Sequence, residues 1–574
     1  MQRMIYFRMT FAALYLNPKV YSNSRIMNRK IRFCFSFVVL FLISLSVFSQ
    51  SAYLPLNQEY NRTLQKVLYS KSIRFHTSIR PYALQDINAV VKYDSIQSLL
   101  RMNRVIEKKW KQKVWNKLFN DNVVTLYKKK FSLVLNPLMD FSYGHDFVEN
   151  KNVWINTRGI EVQGRIGKAF TFYTNFYENQ GIFVNYIDSF IRKNEVVPGQ
   201  GRVQYYLDST GKHLYLNGKS FDYSAATGYI SVAVGKYFTF QLGQGKNFLG
   251  DGYRSLLLSD NAYANAYFKM EINFWHMKYL VLYNQYLDMH EDIPEIGYAR
   301  KYSTVHYLSW AISKRVNLSF FDAIIWQATD TLGHYRGFDW QYLNPVIFLR
   351  SVDLGLGSPD NALLGFNLSV IVGKHNVFYG QLLLDEFILS KMLEHSGFWA
   401  NKQAFQLGFK TFDPFGIKNL YFQTEYNYVR PYTYSEAVER INYGHYNQPL
   451  AHPFGANFWE SVNFIRYSYK RLFFNYEFLY SIKGLDPPGK NYGGDIYKSY
   501  YTYVNAYGNY VGQGIRTRLL YQNLSISFLI NPAYNLNFTM GFVLRNMSSD
   551  VSTENTHYFY IGLRTSLRNL YYDF

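Results

Sequence analysis

The sequence predicts an all-β fold: a closed antiparallel transmembrane β-barrel of about 18 strands, preceded by a short N-terminal helical periplasmic segment. Three observations carry that expectation. The chain holds 55 Tyr, 47 Phe and 9 Trp, 19% aromatic in all, more than an ordinary soluble core employs. Outer-membrane barrels set such rings in girdles at both water–lipid interfaces. Many stretches alternate apolar and polar residues with period two. Beyond the first 50 residues nothing is apolar enough for a membrane helix, so a closed barrel is the remaining structure that pairs every backbone N–H and C=O in hydrocarbon.

In chain order, residues 1–26 have no role in this reading and are expected to be an upstream extension ahead of a start at Met27. Residues 27–49, "MNRKIRFCFSFVVLFLISLSVFS", read as a secretory signal peptide. Arg29, Lys30 and Arg32 precede an apolar run from Phe33 to Phe48, with cleavage expected at Gln50. The run is shorter than the roughly 20 residues that span a bilayer. The single cysteine, Cys34, lies in this leader, so the mature chain offers no disulfide or thiol chemistry.

Residues 50–130 form a basic, partly helical periplasmic segment. In "DSIQSLLRMNRVIEKKWKQKVWNKLF", Ile96, Leu99, Leu100, Ile106, Trp110 and Val114 have helical spacing, with Asp94 or Ser95 as N-cap. The polar face is rich in lysine and arginine. Such a helix fits the periplasmic mouth, the lumen, or an anionic lipid surface. The overall charge of +21 belongs mostly to the leader and this segment, because residues 131–574 carry 38 basic against 35 acidic side chains. That near-neutral body is no nucleic-acid footprint.

Residues 131–574 are the expected barrel. In "LSISFLINPAYNLNFTMGFVL", Leu524, Ile526, Phe528 and Ile530 alternate with Ser525 and Ser527; beyond a turn, Phe538, Met540 and Phe542 alternate with Asn537, Thr539 and Gly541. The pattern is a hairpin with a lipid face and a lumen face. Phe422, Tyr426 and Tyr428 alternate with Gln423, Glu425 and Asn427, and Phe474, Tyr476, Phe478 and Tyr480 repeat it. Eight tight turns punctuate these strands: Gly167-Lys168, Gly235-Lys236, His276-Met277, Lys314-Arg315, Lys374-His375, Pro414-Phe415-Gly416, Lys470-Arg471 and Pro532-Ala533-Tyr534. Eight hairpins, an opening strand near Phe131–Tyr143 and a closing one at Tyr558–Leu567 make an even count, with both ends periplasmic. The long connections 185–227, 327–360, 431–459 and 482–515 are then extracellular.

The glycine-rich stretch "LGQGKNFLGDGYRSLLLSDNA", 242–262, has the look of a phosphate loop but not its spacing. Phe248 stands where the third glycine of G-x-G-x-x-G belongs, and no G-x-x-x-x-G-K-[ST] is present. It follows the strand Phe238, Phe240, Leu242, so it is an extracellular or lumen-folded loop whose glycines allow tight turns.

Four stretches carry a family resemblance: this loop, "WQYLNPVIFLRSVDLGLGSPDNALLGFN" at 340–367, "GQLLLDEFIL" at 380–389 and the ending "YIGLRTSLRNLYYDF". The loop resembles that of the Wzi-type capsule assembly proteins, outer-membrane barrels that retain capsular polysaccharide. The others are similar to their relatives, the gliding-motility proteins of the RemB type. The resemblance implies an eighteen-stranded barrel with a helical periplasmic element. It also implies a place in the outer membrane of a gram-negative bacterium. Partners would be surface or capsular polysaccharide, outer-membrane lipid, the barrel-assembly machinery for insertion and components of a motility apparatus, with no nucleic acid.

Glycan binding needs aromatic faces for sugar C–H surfaces and planar polar groups or cations for hydroxyls and acids. Two sets of residues meet that need. One is Asp251, Tyr253, Arg254, Asp260 and Asn261; the other is Trp340, Tyr342, Asn344, Arg350 and Asp353. Both sets have a purely structural alternative, as braces for their loops. The cluster Asp288, His290, Glu291, Asp292 and Glu295 has ligands for calcium, but reads more simply as a solvated loop. With no G-x-S-x-G and no H-E-x-x-H, no catalytic residue, metal site or cofactor is expected, and the chain is not expected to be an enzyme. A diffusion porin or substrate-specific channel is the competing reading, a barrel enzyme the more remote one.

Overall fold

The computed structural model describes residues 53–56, 58–91, 111–167, 169–207, 213–215, 219–293, 297–329, 333–348, 360–386, 388–565 and 568–574. The expected leader, most of the helix expected at 94–114, and Arg350 and Asp353 lie outside them.

Eighteen strands close into one barrel, each antiparallel to its neighbours. The first six are β1 (Phe131–Asp146), β2 (Lys151–Ile166), β3 (Phe170–Ile182), β4 (Phe221–Val234), β5 (Phe238–Gly245) and β6 (Asn265–Phe274). The next six are β7 (Met277–Ile293), β8 (Gly297–Ala311), β9 (Val316–Gln327), β10 (Asn361–Val372), β11 (Asn376–Glu386) and β12 (Lys402–Phe412). The last are β13 (Leu420–Val429), β14 (Phe458–Tyr469), β15 (Leu472–Leu485), β16 (Ile515–Asn531), β17 (Leu536–Ser549) and β18 (Thr553–Thr565). Closure runs through Tyr558–Arg564 of β18 against Asp140–Asp146 of β1. A further strand, Val124–Lys128, pairs with Phe131–Leu135 and covers the rest of that edge of β1.

All eight expected hairpins are present, with one correction. The turn after β6 is Trp275-His276, because Phe274 pairs with Met277 and Trp275 takes the positive φ of +50° that so short a turn demands. The alternation also holds. Leu524, Phe528, Phe538 and Met540 face outward, whereas Ser525, Asn537 and Thr539 are buried in the lumen. By the general rule for such barrels, the eight short turns mark the periplasmic end.

The segment before the barrel closes that end. Helix α1 (Gln58–Ser70) sets Tyr60, Leu64 and Leu68 on one face, against Ile371, Val377, Phe412 and Tyr421 beside the turns. Lys66 donates to Asp413 (2.8 Å), and Lys278 to Asp86 of helix α2 (Leu84–Val90) at 2.6 Å. Helix α3 (Lys111–Phe119) is held where Asn531 Nδ2 donates to the carbonyls of Lys117 (2.9 Å) and Leu118 (3.1 Å), leaving Trp115 and Leu118 exposed. Between α1 and α2, Ile79-Arg80 enters the lumen and pairs with Phe248-Leu249. The segment thus both caps the mouth and fills part of the bore. Among the described helices of the segment, only α3 overlaps the stretch with helical spacing.

Candidate functional site

Residues 246–264, which join β5 to β6, turn inward and become the centre of a plug. Every one of them except Lys246, Tyr253 and Tyr263 is buried. Gly250 has φ +149°, and a Cβ there would lie 2.3 Å from Gln381 Nε2. At Gly252 a Cβ would lie 2.4 Å from Glu425 Oε2. Gly250 is therefore required by its backbone conformation and Gly252 by close approach, since its Cβ would also lie 2.8 Å from Arg254 O.

Arg254, 1% exposed, is the hub. Its Nη2 donates to Asp573 Oδ2 (2.8 Å) and Glu460 Oε1 (3.1 Å), and Glu460 Oε2 lies 2.8 Å from His452 Nε2. The backbone N–H groups of Tyr253 and Arg254 donate to the two oxygens of Glu425, at 2.7 and 3.0 Å. Burial alone disfavours the guanidinium charge, but Asp573 and Glu460 outweigh it and hold the pKa above the usual arginine value. Asp251 accepts from Thr77 Oγ1 (2.5 Å) and Asn367 Nδ2 (3.0 Å). Asp260 accepts from Tyr571 Oη (2.6 Å) and Asn569 Nδ2 (2.9 Å), and Asn261 Nδ2 donates to Pro449 O (3.0 Å). Tyr253 Oη reaches Asp573 Oδ2 at 3.0 Å.

The four stretches that carry the family resemblance therefore each contribute here, 340–367 through its last residue, Asn367. The loop bonds to Asn367, to Gln381, which receives Leu256 N–H at 2.8 Å, and to the stretch Arg568–Phe574, which leaves β18 and runs into the lumen. The connection 430–457 also folds inward: Tyr434 and Tyr443 each donate to a loop carbonyl at 2.7 Å.

The second predicted set lies elsewhere. The connection after β9 does not stay at the extracellular end but drapes over the outer wall. Tyr283, Thr304 and Tyr279 donate from the outer faces of β7 and β8 to the carbonyls of Leu343 (3.0 Å), Tyr342 (3.1 Å) and Pro345 (2.6 Å). Asp322 of β9 accepts from Phe348 N (2.9 Å). The wall thus satisfies backbone groups that hydrocarbon would leave unpaired. Tyr342 is wholly buried against Trp326 and bonded to Asp360 (2.7 Å), while Trp340 (76% exposed) and Asn344 face outward. The two predicted sets are not brought together.

What the structure assembles instead is an aromatic rim on the long-loop end. Trp399 stacks on Tyr503 (centroids 5.1 Å apart, 18°) and contacts Tyr500 (4.8 Å), and Phe398 contacts Tyr507 (5.3 Å). Tyr501, Tyr507 and Tyr510 are 70%, 51% and 62% exposed. Ser499 caps the short turn Tyr500–Thr502 by accepting from Tyr501 N. The signal for this rim was present as six tyrosines within "YKSYYTYVNAYGNY", residues 497–510.

No protein-family model matches the chain, and no curated protein matches it in sequence. Among solved structures, it is similar to Wzi, an outer membrane protein involved in group 1 capsule assembly in Escherichia coli and described as a carbohydrate-binding β-barrel. The match covers 90% of this chain and 99% of that one at 11% identity, with a TM-score of 0.54. OprD of Pseudomonas aeruginosa is matched at 12% identity over 78% of this chain and 96% of its own, TM-score 0.40. For OccAB2 of Acinetobacter baumannii the figures are 8%, 75%, 97% and 0.39. The likeness to Wzi shows a shared barrel fold.

Proposed function

We propose that this chain is an outer-membrane barrel of a gram-negative bacterium that holds surface polysaccharide at its extracellular rim, as a binding protein rather than a channel or an enzyme. The observation that carries the reading is the pairing of a filled lumen with an exposed aromatic rim. Four separate stretches occupy the bore, whereas an open porin keeps a constriction lined by charge. At the rim, rigid tyrosine faces match sugar C–H surfaces, and Lys391, paired with Glu394 at 2.9 Å, lies 5.7 Å from the Tyr507 ring. The carbohydrate binding described for Wzi and the resemblance of the lumen motifs support the same reading. The rim suits a role in capsule attachment or in gliding motility. The buried Asp251, Arg254, Asp260 and Asn261 then serve to lock the plug beneath it.

The test is polysaccharide retention. The purified barrel is immobilised and challenged with surface polysaccharide from its own cells, as wild type and as the triple variant Tyr501→Ala, Tyr507→Ala, Tyr510→Ala. Removing three stacking faces worth about 0.5–1.5 kcal/mol each is expected to weaken binding at least tenfold. Undiminished binding by the triple variant would sink the proposal.

A further inference from the structure

Inside the barrel, between the plug and the N-terminal segment, lies a chamber of about 280 Å³ that the rim does not include. Its size is just below the roughly 300–1,000 Å³ usual for small-molecule sites. Residues Tyr53–Leu56 and Leu84 line it from the N-terminal side, and Lys246, Asp260 and Tyr263 from the plug.

Three features make it more than a packing gap. The first is its ring surface. Tyr173 and Tyr229 stack (centroids 5.6 Å, 20°), Tyr53 stands edge-on to Tyr229 (5.6 Å, 83°), and Tyr177 and Tyr267 also line the space.

The second is unmet hydrogen bonding. Gln241 is 2% exposed, and its Oε1 is pinned by Tyr267 Oη at 2.9 Å, which leaves its Nε2 on the chamber without a partner among the described residues. The hydroxyl of Tyr53, also buried, has none either. A buried polar group left in that state is destabilising, and a bound acceptor would relieve it.

The third is charge. Arg568 lies 4.0 Å from the Tyr177 ring centroid and forms no ion pair among the described residues. Among the described residues, Lys246 Nζ donates only to carbonyl oxygens, of Gly199 (2.7 Å) and Asp260 (2.8 Å). Across the space, Glu161 is already engaged by Asn136 Nδ2 (3.2 Å) and Tyr173 Oη (3.3 Å).

We propose that this chamber is a second carbohydrate site, shaped for one acidic sugar residue or a disaccharide. The pyranose C–H faces lie against the tyrosine rings, Gln241 and Tyr53 donate to hydroxyls, and Arg568 takes the carboxylate in charge-assisted hydrogen bonds. The choice of sugar as ligand class rests on the glycan reading of the rim. The donors, the cation and the ring faces are properties of the chamber itself.

The experiment uses the whole mature protein in detergent, with galacturonate, digalacturonate and neutral galactose as probes, read by calorimetry and saturation-transfer NMR. Four forms are compared: wild type, Arg568→Gln, Gln241→Leu and the rim variant Tyr501→Ala with Tyr507→Ala. Heat-modifiable gel migration confirms that each barrel is closed. The uronates are expected to bind wild type and rim variant alike. Arg568→Gln weakens the uronates about tenfold without changing galactose, as loss of one charge-assisted bond predicts. Gln241→Leu weakens all three probes. Absence of uronate binding to wild type would overturn the proposal, as would binding that ignores both chamber substitutions. Polysaccharide retention by the rim variant would overturn the rim reading and leave the chamber standing.

Discussion

Two connections at the long-loop end are made from similar residues and meet opposite fates. Residues 246–264 and 486–514 are both rich in glycine, tyrosine, asparagine and aspartate. The first is drawn into the bore, where Asp251, Arg254 and Asp260 are each matched by named partners. The second stays at the rim and turns Tyr501, Tyr507 and Tyr510 to solvent. Composition therefore does not separate a glycan-facing loop from a plug. The difference lies in what the barrel wall offers beneath each loop. Gln381, Gln406, Glu425 and Glu460 project into the lumen under the first, with Gln406 Nε2 donating to Arg254 O at 3.1 Å.

The strongest way to break this contrast is at the hub. Arg254→Ala strands Glu460 and Asp573 in a buried site, which costs about 3–5 kcal/mol. The barrel wall is expected to survive and the plug to loosen, so single-channel recordings in a planar bilayer should change from silence to steady conductance. Persisting silence would mean that the plug does not depend on its ion pairs.

Next in size is the periplasmic cap. Leu68 is fully buried between α1 and the turns, and Leu68→Ala removes roughly 3 kcal/mol of packing. Faster proteolysis within residues 58–91, with an unchanged barrel, is the expected readout.

Acid distinguishes the inward loops from the rim more gently. Burial, aided by Lys301, pulls the pKa of His445 down to about 3, and burial with Lys278 does the same for His76. Each is neutral in the native protein and takes up a proton on unfolding below its ordinary value near 6.5. The contribution of these two groups to stability is therefore flat above about pH 7 and falls between 6.5 and 3, by about 1.4 kcal/mol per pH unit for each histidine. Hydrogen exchange in residues 430–457 should accelerate over that window, and His445→Asn should shallow the slope. Smallest of all, Tyr501→Ala is expected to move the thermal midpoint by no more than about 0.5 kcal/mol allows, because an exposed ring contributes little to folding.

The wall was legible in the sequence because each strand is decided locally, by alternation and by the residues of its own turn. Only the Trp275 turn shifted, by one residue. The plug was not legible, since Arg254 finds Glu460 and Asp573 at separations of 206 and 319 residues and no local pattern announces such meetings. The draped segment at 338–348 was hidden for a related reason. Its carbonyls are satisfied by hydroxyls of Tyr279, Tyr283 and Thr304, residues that alternation alone assigns to lipid. Helix α1 was missed although Tyr60, Leu64 and Leu68 stand at helical spacing. The aromatic rim was written plainly in residues 497–510, but tyrosine is so common in this chain that one more cluster did not stand out.

The stretch Arg568–Phe574 has a consequence in time as well as in space. Contacts between residues far apart in sequence form late, because a long loop must close before they repay its entropy. Arg254 meets Asp573 only after β18 has been laid against β1, so the wall closes first and the bore fills second. A newly inserted barrel should pass through a leaky stage, and the slowest step of its maturation should be the locking of its own interior.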